Sequence, residues 1–193
     1  MRQLYLLPLM ALFAQQSWTQ SDTDCTLDGS GLEPLLADSA KSLVGKVLRK
    51  REPQALIEEA DFTDGTRLKV HQGGCAHYGK RYEFSSVKDA VSPDQRKHYF
   101  EAAVRLLKRK VGPQGGSLDA DLGDSIADAI KSLDAWIKKS ADVGDGGTVY
   151  VWGECSTKGC STGFACGDAT CTVEVVSTGK GRVRIAASHD FPM

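Results

Sequence analysis

His71, Cys75 and His77 lie close together in the run HQGGCAHYG, and a thiol beside imidazoles is the raw material of two chemistries. A thiolate activated by a neighbouring imidazole is a nucleophile, and thiolates with imidazoles are ordinary zinc ligands. Further along, Cys155, Cys160, Cys166 and Cys171 form a C-x4-C-x5-C-x4-C array. In a reducing cytosol that array would suggest structural zinc, whereas in an oxidising compartment an even set of cysteines is a disulfide framework. The compartment therefore decides what the sulfurs can do.

The first residues speak to it. After Met1-Arg2 the run LYLLPLMALFA, Leu4 to Ala14, is apolar and too short to span a bilayer. It fits the hydrophobic region of a secretory signal peptide, so residues 1–14 are expected to be a signal peptide. Residues 15–30 follow as a polar segment, and 31–193 are expected to form a single α+β domain. Once the signal is cleaved, no membrane insertion is expected, and the protein should be periplasmic or extracellular. All six cysteines are then disulfide candidates. A nested arrangement is the first expectation: Cys155 with Cys171 at a hairpin mouth, Cys160 with Cys166 inside it, and Cys25 with Cys75. Adjacent pairing, Cys155 with Cys160 and Cys166 with Cys171, is the main rival. An oxidised Cys75 is no nucleophile, and neither His71 nor His77 has an evident third partner, so catalytic residues and metal ligands are both expected to be none.

Other chemistry is excluded by pattern. The chain lacks a G-x-S-x-G elbow, a phosphate-binding glycine loop, H-E-x-x-H and C-x-x-C, which are the common signatures of nucleophilic, nucleotide-dependent, metal-dependent and redox enzymes. No cofactor is expected. The formal net charge is −1 in 193 residues, so no overall field favours nucleic acid. Basic clusters at Arg49–Arg51 and Lys108–Lys110 stand at the ends of expected helices, where cations complement the helix dipole.

The elements that must position these residues follow from periodicity. Leu32, Leu35, Leu36, Leu43, Val44, Val47 and Leu48 recur at three- and four-residue steps, which predicts a first helix over about 32–51. From Gln54 the period becomes two. A three-stranded meander is expected to Val87, with Asp64-Gly65 making a tight turn and Tyr82 and Phe84 alternating with polar residues. Ser92-Pro93 opens a second helix, with Phe100, Ala103, Val104, Leu107 and Val111 as its buried stripe. A third runs over about 120–140, carrying Leu122, Ile126, Ile130, Leu133 and Ile137. Thr148–Cys155 and Cys171–Ser177 read as a hairpin whose long connection holds Cys160 and Cys166, and Arg182–Ser188 as one further strand. The expected fold is α+β: an antiparallel sheet of about five to six strands, packed with three helices.

This combination points to an exported, disulfide-stabilised, non-catalytic binding protein acting through loops on a protein partner in the cell envelope or outside the cell. Small inhibitors or immunity proteins directed at cell-wall hydrolases are of this type. The residues expected to carry binding are Gly73, Gly74, His77 and Tyr78 in the second connection of the meander, and Phe164, an apolar residue in the 156–169 loop. The alternative is a secreted enzyme centred on Cys75 and His77.

Overall fold

The computed structural model describes residues 28–74, 77–88, 96–138, 151–155 and 158–192. Among them are eight strands and two α-helices. β1 (Leu43–Glu52), β2 (Ala55–Phe62), β3 (Arg67–Gly73) and β4 (His77–Lys88) form one antiparallel meander. α1 (Arg96–Leu107) and α2 (Ala120–Lys138) follow. A second meander then runs through β5 (Val151–Cys155), β6 (Gly159–Cys166), β7 (Ala169–Gly179) and β8 (Arg182–Pro192). The two halves join where β8 pairs antiparallel with β4, giving one sheet in the order β1-β2-β3-β4-β8-β7-β6-β5.

Strand alternation sorts the side chains onto two faces. One face carries Leu68, Val70, Tyr82, Phe84, Val173 and Ile185, all essentially inaccessible to water. Phe100, Leu107, Leu122 and Ile126 of the helices join them in one core, with the Phe100 and Phe164 rings 6.0 Å apart. The opposite face is laced by ion pairs: Arg67–Asp61, Lys69–Glu59 and Arg184–Glu83 join neighbouring strands, and Arg81–Glu174 reaches from β4 across β8 to β7. An antiparallel sheet with one packed and one solvated face has this pattern.

The meander over 54–87 is as the alternation predicted, and the Asp64-Gly65 turn has Gly65 at φ +82°. Both later helices also lie where periodicity placed them. Phe100, Ala103, Leu107 and Val111 are buried, as are Leu122 and Ile126, while Ile130 is partly so. The Ser92-Pro93 cap, and the side chains of Leu133 and Ile137, lie outside the described residues.

Two expectations fail. Residues 32–51 are not one helix: a single 3-10 turn at Gly29–Gly31 leads into an irregular segment, and from Leu43 the chain is strand β1. The apolar spacing was shared between two unrelated jobs. Leu36 is buried in the core and so is Val47, but Val44 and Leu48 are exposed on an edge strand. A bulge between Val44 and Leu48, with Gly45 at φ +76°, shifts the alternation and mimics a three-to-four-residue repeat.

The second correction concerns the expected hairpin connection at 156–169. Much of it is strand β6, inserted between the two strands that were expected to pair. Cys171 consequently faces Phe164 rather than Cys155, and the nested disulfide scheme falls with that register. Cys166 instead bonds Cys171 across the β6–β7 turn, their Cα atoms 5.9 Å apart, inside the range a disulfide needs. Cys160 is also in a disulfide, and the ladder sets Cys155 opposite it. With these sulfurs in covalent bonds, the four-cysteine array offers no set of thiolates for zinc. Among the described residues the fold thus has eight strands against the five or six expected, and two α-helices against three, within the same α+β class.

Candidate functional site

One end of the sheet gathers residues from both halves of the chain. There β2 begins at Ala55 after the Pro53-Gln54 turn, β3 ends at Gly73 and β4 starts at His77. β8 finishes alongside, His77 lying opposite Pro192 and Tyr78 opposite Phe191. The β6–β7 turn with its Cys166–Cys171 bond closes the row.

Gly73 is there for a steric reason. It sits at φ +140°, and a Cβ on it would lie 2.2 Å from the Gln54 carbonyl oxygen and 2.7 Å from Ala55 Cα. The Gly74 N–H donates to that same Gln54 oxygen at 3.2 Å. Two turns are thereby locked together, a close approach only glycine permits. Next to them the Tyr78 and Phe191 rings stack, centroids 6.4 Å apart and planes 23° off parallel. Phe191 keeps 37% of its surface exposed and Tyr78 is half-buried. The Tyr78 hydroxyl reaches Gln72 Oε1 at 3.4 Å, and Gln72 Nε2 donates to the Glu33 carbonyl at 2.6 Å. Burial, helped by the Asp119 charge, pushes the Tyr78 phenol up, so it stays protonated in neutral solution.

Beneath the aromatic pair lies a buried polar cluster. Asp119 precedes α2 and caps it, Oδ1 accepting the Leu122 N–H at 2.9 Å. Its other oxygen accepts the Tyr82 hydroxyl at 2.6 Å and lies 3.5 Å from His189 Nε2. The His189 ring meets Phe191 edge-on at 4.8 Å. Desolvation pulls the His189 pKa below its ordinary value, against the opposing pull of Asp119, and Lys80 adds to the lowering. Burial and the Asp119 charge likewise raise the Tyr82 phenol. The arrangement holds a neutral imidazole and a neutral phenol around one carboxylate. That is chemistry for fixing positions: the Tyr82–Asp119 bond ties β4 to the start of α2, while His189 Nε2 is buried beside it without a hydrogen-bond partner among the described residues. Among the described residues no three histidine, cysteine, aspartate or glutamate side chains are placed to hold a metal ion.

The structure treats the sequence candidates unequally. Gly73, Gly74 and Tyr78 come together at this end. The backbone of His77 opens β4 here, but its side chain and Cys75 lie outside the described residues. His71 points to the solvated face, opposite in sense to Tyr78, so the two do not converge. Phe164 is fully buried against Phe100 and Cys171 and presents no ring to solvent. Sequence reasoning missed Phe191, His189, Asp119 and Tyr82 as a group. Only the capping position of Asp119, just ahead of a helical pattern, was a local signal. The rest depends on β8 returning to β4, a pairing across more than a hundred residues. No helix among the described residues is long and apolar enough to cross a membrane.

The chain matches no protein-family model, no curated protein and no solved structure. Its functional reading therefore rests on its own geometry.

Proposed function

We propose that this chain is an exported, disulfide-stapled binding protein that engages a protein partner through the Gly73–Gly74, Tyr78 and Phe191 end of its sheet. The observation that carries the reading is the half-exposed aromatic stack of Tyr78 on Phe191, seated on rigid strands beside two interlocked turns. Aromatic side chains bury large areas at low entropic cost, and those held rigidly on a scaffold are the usual anchors of protein–protein interfaces. The disulfide closing the neighbouring turn suits a life in the periplasm or outside the cell. A cell-wall hydrolase whose cleft received this aromatic end would be blocked by it.

The experiment is a pull-down with the oxidised protein from envelope or extracellular extract, run beside Y78A and F191A. Both variants should fold, losing at most about 1–2 kcal/mol because the rings are only partly buried, and each should weaken capture of the same partner by tenfold or more. Undiminished capture by both removes this end from the interface. A thiol titration separates this reading from a Cys75-centred enzyme, which needs one reactive thiol in the native protein.

A further inference from the structure

A concavity lies at the opposite end of β2, and we propose that it binds a small molecule bearing an oxyanion, a phosphate or sulfate ester. It is a cavity of about 710 Å³, within the range of small-molecule sites. Its walls are the 37–42 segment, the Phe62–Asp64 part of the β2–β3 turn, and the 109–115 connection between the helices. Three cations, Lys41, Arg109 and Lys110, line it together with one carboxylate, Asp64.

The carboxylate is already committed. Asp64 Oδ2 accepts Arg109 Nη2 at 2.6 Å, and the Arg109 guanidinium lies 4.3 Å from the centre of the Phe62 ring. Among the described residues that leaves two lysines without an ion pair: Lys110 reaches only Ser117 Oγ, at 3.5 Å, and Lys41 has no carboxylate partner. Ser39, Ser42 and Thr63 supply hydroxyl-bearing side chains around the same space. The local excess of positive charge therefore sits in a concave, hydroxyl-rich site on a chain whose formal net charge is −1.

The walls are also fixed in advance. Ala37 N–H donates to the Val111 carbonyl at 2.8 Å and Thr63 N–H to the Ser42 carbonyl at 3.0 Å, so three separate segments are tied to one another. Gln114 is held at φ +56°, a left-handed conformation that costs energy for a residue with a Cβ, and Gly115 follows at φ +74°. Strain of this kind is characteristic of ligand clamps. A rigid site loses little entropy on binding, which favours a small ligand.

The occupant is a small molecule rather than a nucleic acid. A phosphate backbone needs a track of unpaired cations, and the cations of the solvated sheet face are paired with carboxylates: Arg67 with Asp61, Arg81 with Glu174 and Arg184 with Glu83. Lys41 and Lys110, by contrast, are brought together with Arg109 around one concave space.

The test is an amide chemical-shift titration of the disulfide-bonded full protein with inorganic phosphate, inorganic sulfate, glucose 6-phosphate and glucose. Saturable shifts confined to Lys41, Ser42, Asp64, Lys110 and Gly115 are expected with the anions and none with glucose. Saturation by either inorganic anion supports the site, and the tighter of the two names the ester class. K41Q/K110Q should weaken binding tenfold or more. Lys108→Gln, which removes a cation paired with Asp124 outside the cavity, should not. Shifts spread over all lysines, equal binding in K41Q/K110Q, or no saturation with any anion overturns the proposal. The variant lysines are exposed, so an unchanged thermal melt shows that a lost signal is not a lost fold.

Discussion

Glu58 is fully buried, and every bond it makes explains why the N-terminal segment folds as it does. Oε2 accepts the Leu35 N–H at 2.6 Å, while Oε1 takes the Leu36 N–H at 3.3 Å and Arg49 Nε at 3.1 Å. Arg49 continues the network to the Asp38 carboxylate and the Leu36 carbonyl. Backbone groups that a helix would pair internally are paired here with side chains from β1 and β2. Arg49 would keep Asp38 as a partner, but the Leu35 and Leu36 N–H groups would lose their acceptor, so Glu58→Ala should cost about 1–3 kcal/mol in urea unfolding. A loss below about 1 kcal/mol would mean that this network does not pin the segment. His189 makes a second prediction at this scale. Its folded pKa lies below the unfolded value of 6.5, so above that pH both states are neutral and it adds no pH dependence. As pH falls through 6.5 the unfolded chain takes up the proton first, and stability drops until the folded pKa is passed. The slope should reach at most about 1.4 kcal/mol per pH unit. Urea midpoints at pH 7.5 and 5.5 should therefore differ more in the wild type than in His189→Gln; equal differences would show that the imidazole titrates freely in the folded state.

At the scale of elements, the Cys166–Cys171 bond closes a short loop over the β6–β7 turn. The chain-entropy relation gives about 2 kcal/mol for so short a ring, and the C166S/C171S pair should lose about that much while keeping the register of β6 on β7. Unchanged stability in calorimetry would place the hairpin's strength wholly in its ladder and in the buried Phe164, Val173 and Val175. This bond also marks where sequence reading reached its limit. Residues 54–87, α1 and α2 were legible because each buries one face against one core, so alternation or helical spacing is written plainly into them. β1 was not, because an edge strand with a bulge and half its apolar residues exposed carries no clean period. β6 was hidden by its composition, since Gly159, Cys160, Ser161, Thr162 and Gly163 read locally as a loop. It is held as strand by neighbours on both sides, and non-local pairing of that kind leaves little trace in the segment itself. The candidate site was half visible for the same reason. Gly73, Gly74 and Tyr78 announce an unusual connection, while Phe191 and His189 gain their meaning only from the strand that receives them.

For the whole molecule, β8 is the element on which both halves depend. It is the last strand among the described residues, and it lies between β4 of the first meander and β7 of the second. Ile185 and Ala187 fill the centre of the packed face between Phe84 and Tyr82 on one side and Val175 and Val173 on the other. The candidate site has the same construction: Tyr78 and Tyr82 come from β4, Asp119 from the start of α2, and His189 and Phe191 from β8. Forming the sheet and assembling the site are thus one event, and neither meander can present the aromatic stack alone. A chain ending at Thr178, without β8, would leave Tyr82, Phe84, Val173 and Val175 without their central neighbours and two long strand edges unpaired. Exposed apolar edges of that length promote aggregation, and the lost long-range pairing is what closes the fold. The truncated protein should show no cooperative thermal transition and no dispersed amide spectrum, and adding residues 179–193 as a separate peptide should restore both in part. A truncated chain that melts cooperatively with dispersed amides would mean that the first meander and the helices are an independent folding unit. In that case β8 would only dock on a finished scaffold, and the aromatic stack would be an addition to the fold rather than a product of its closure.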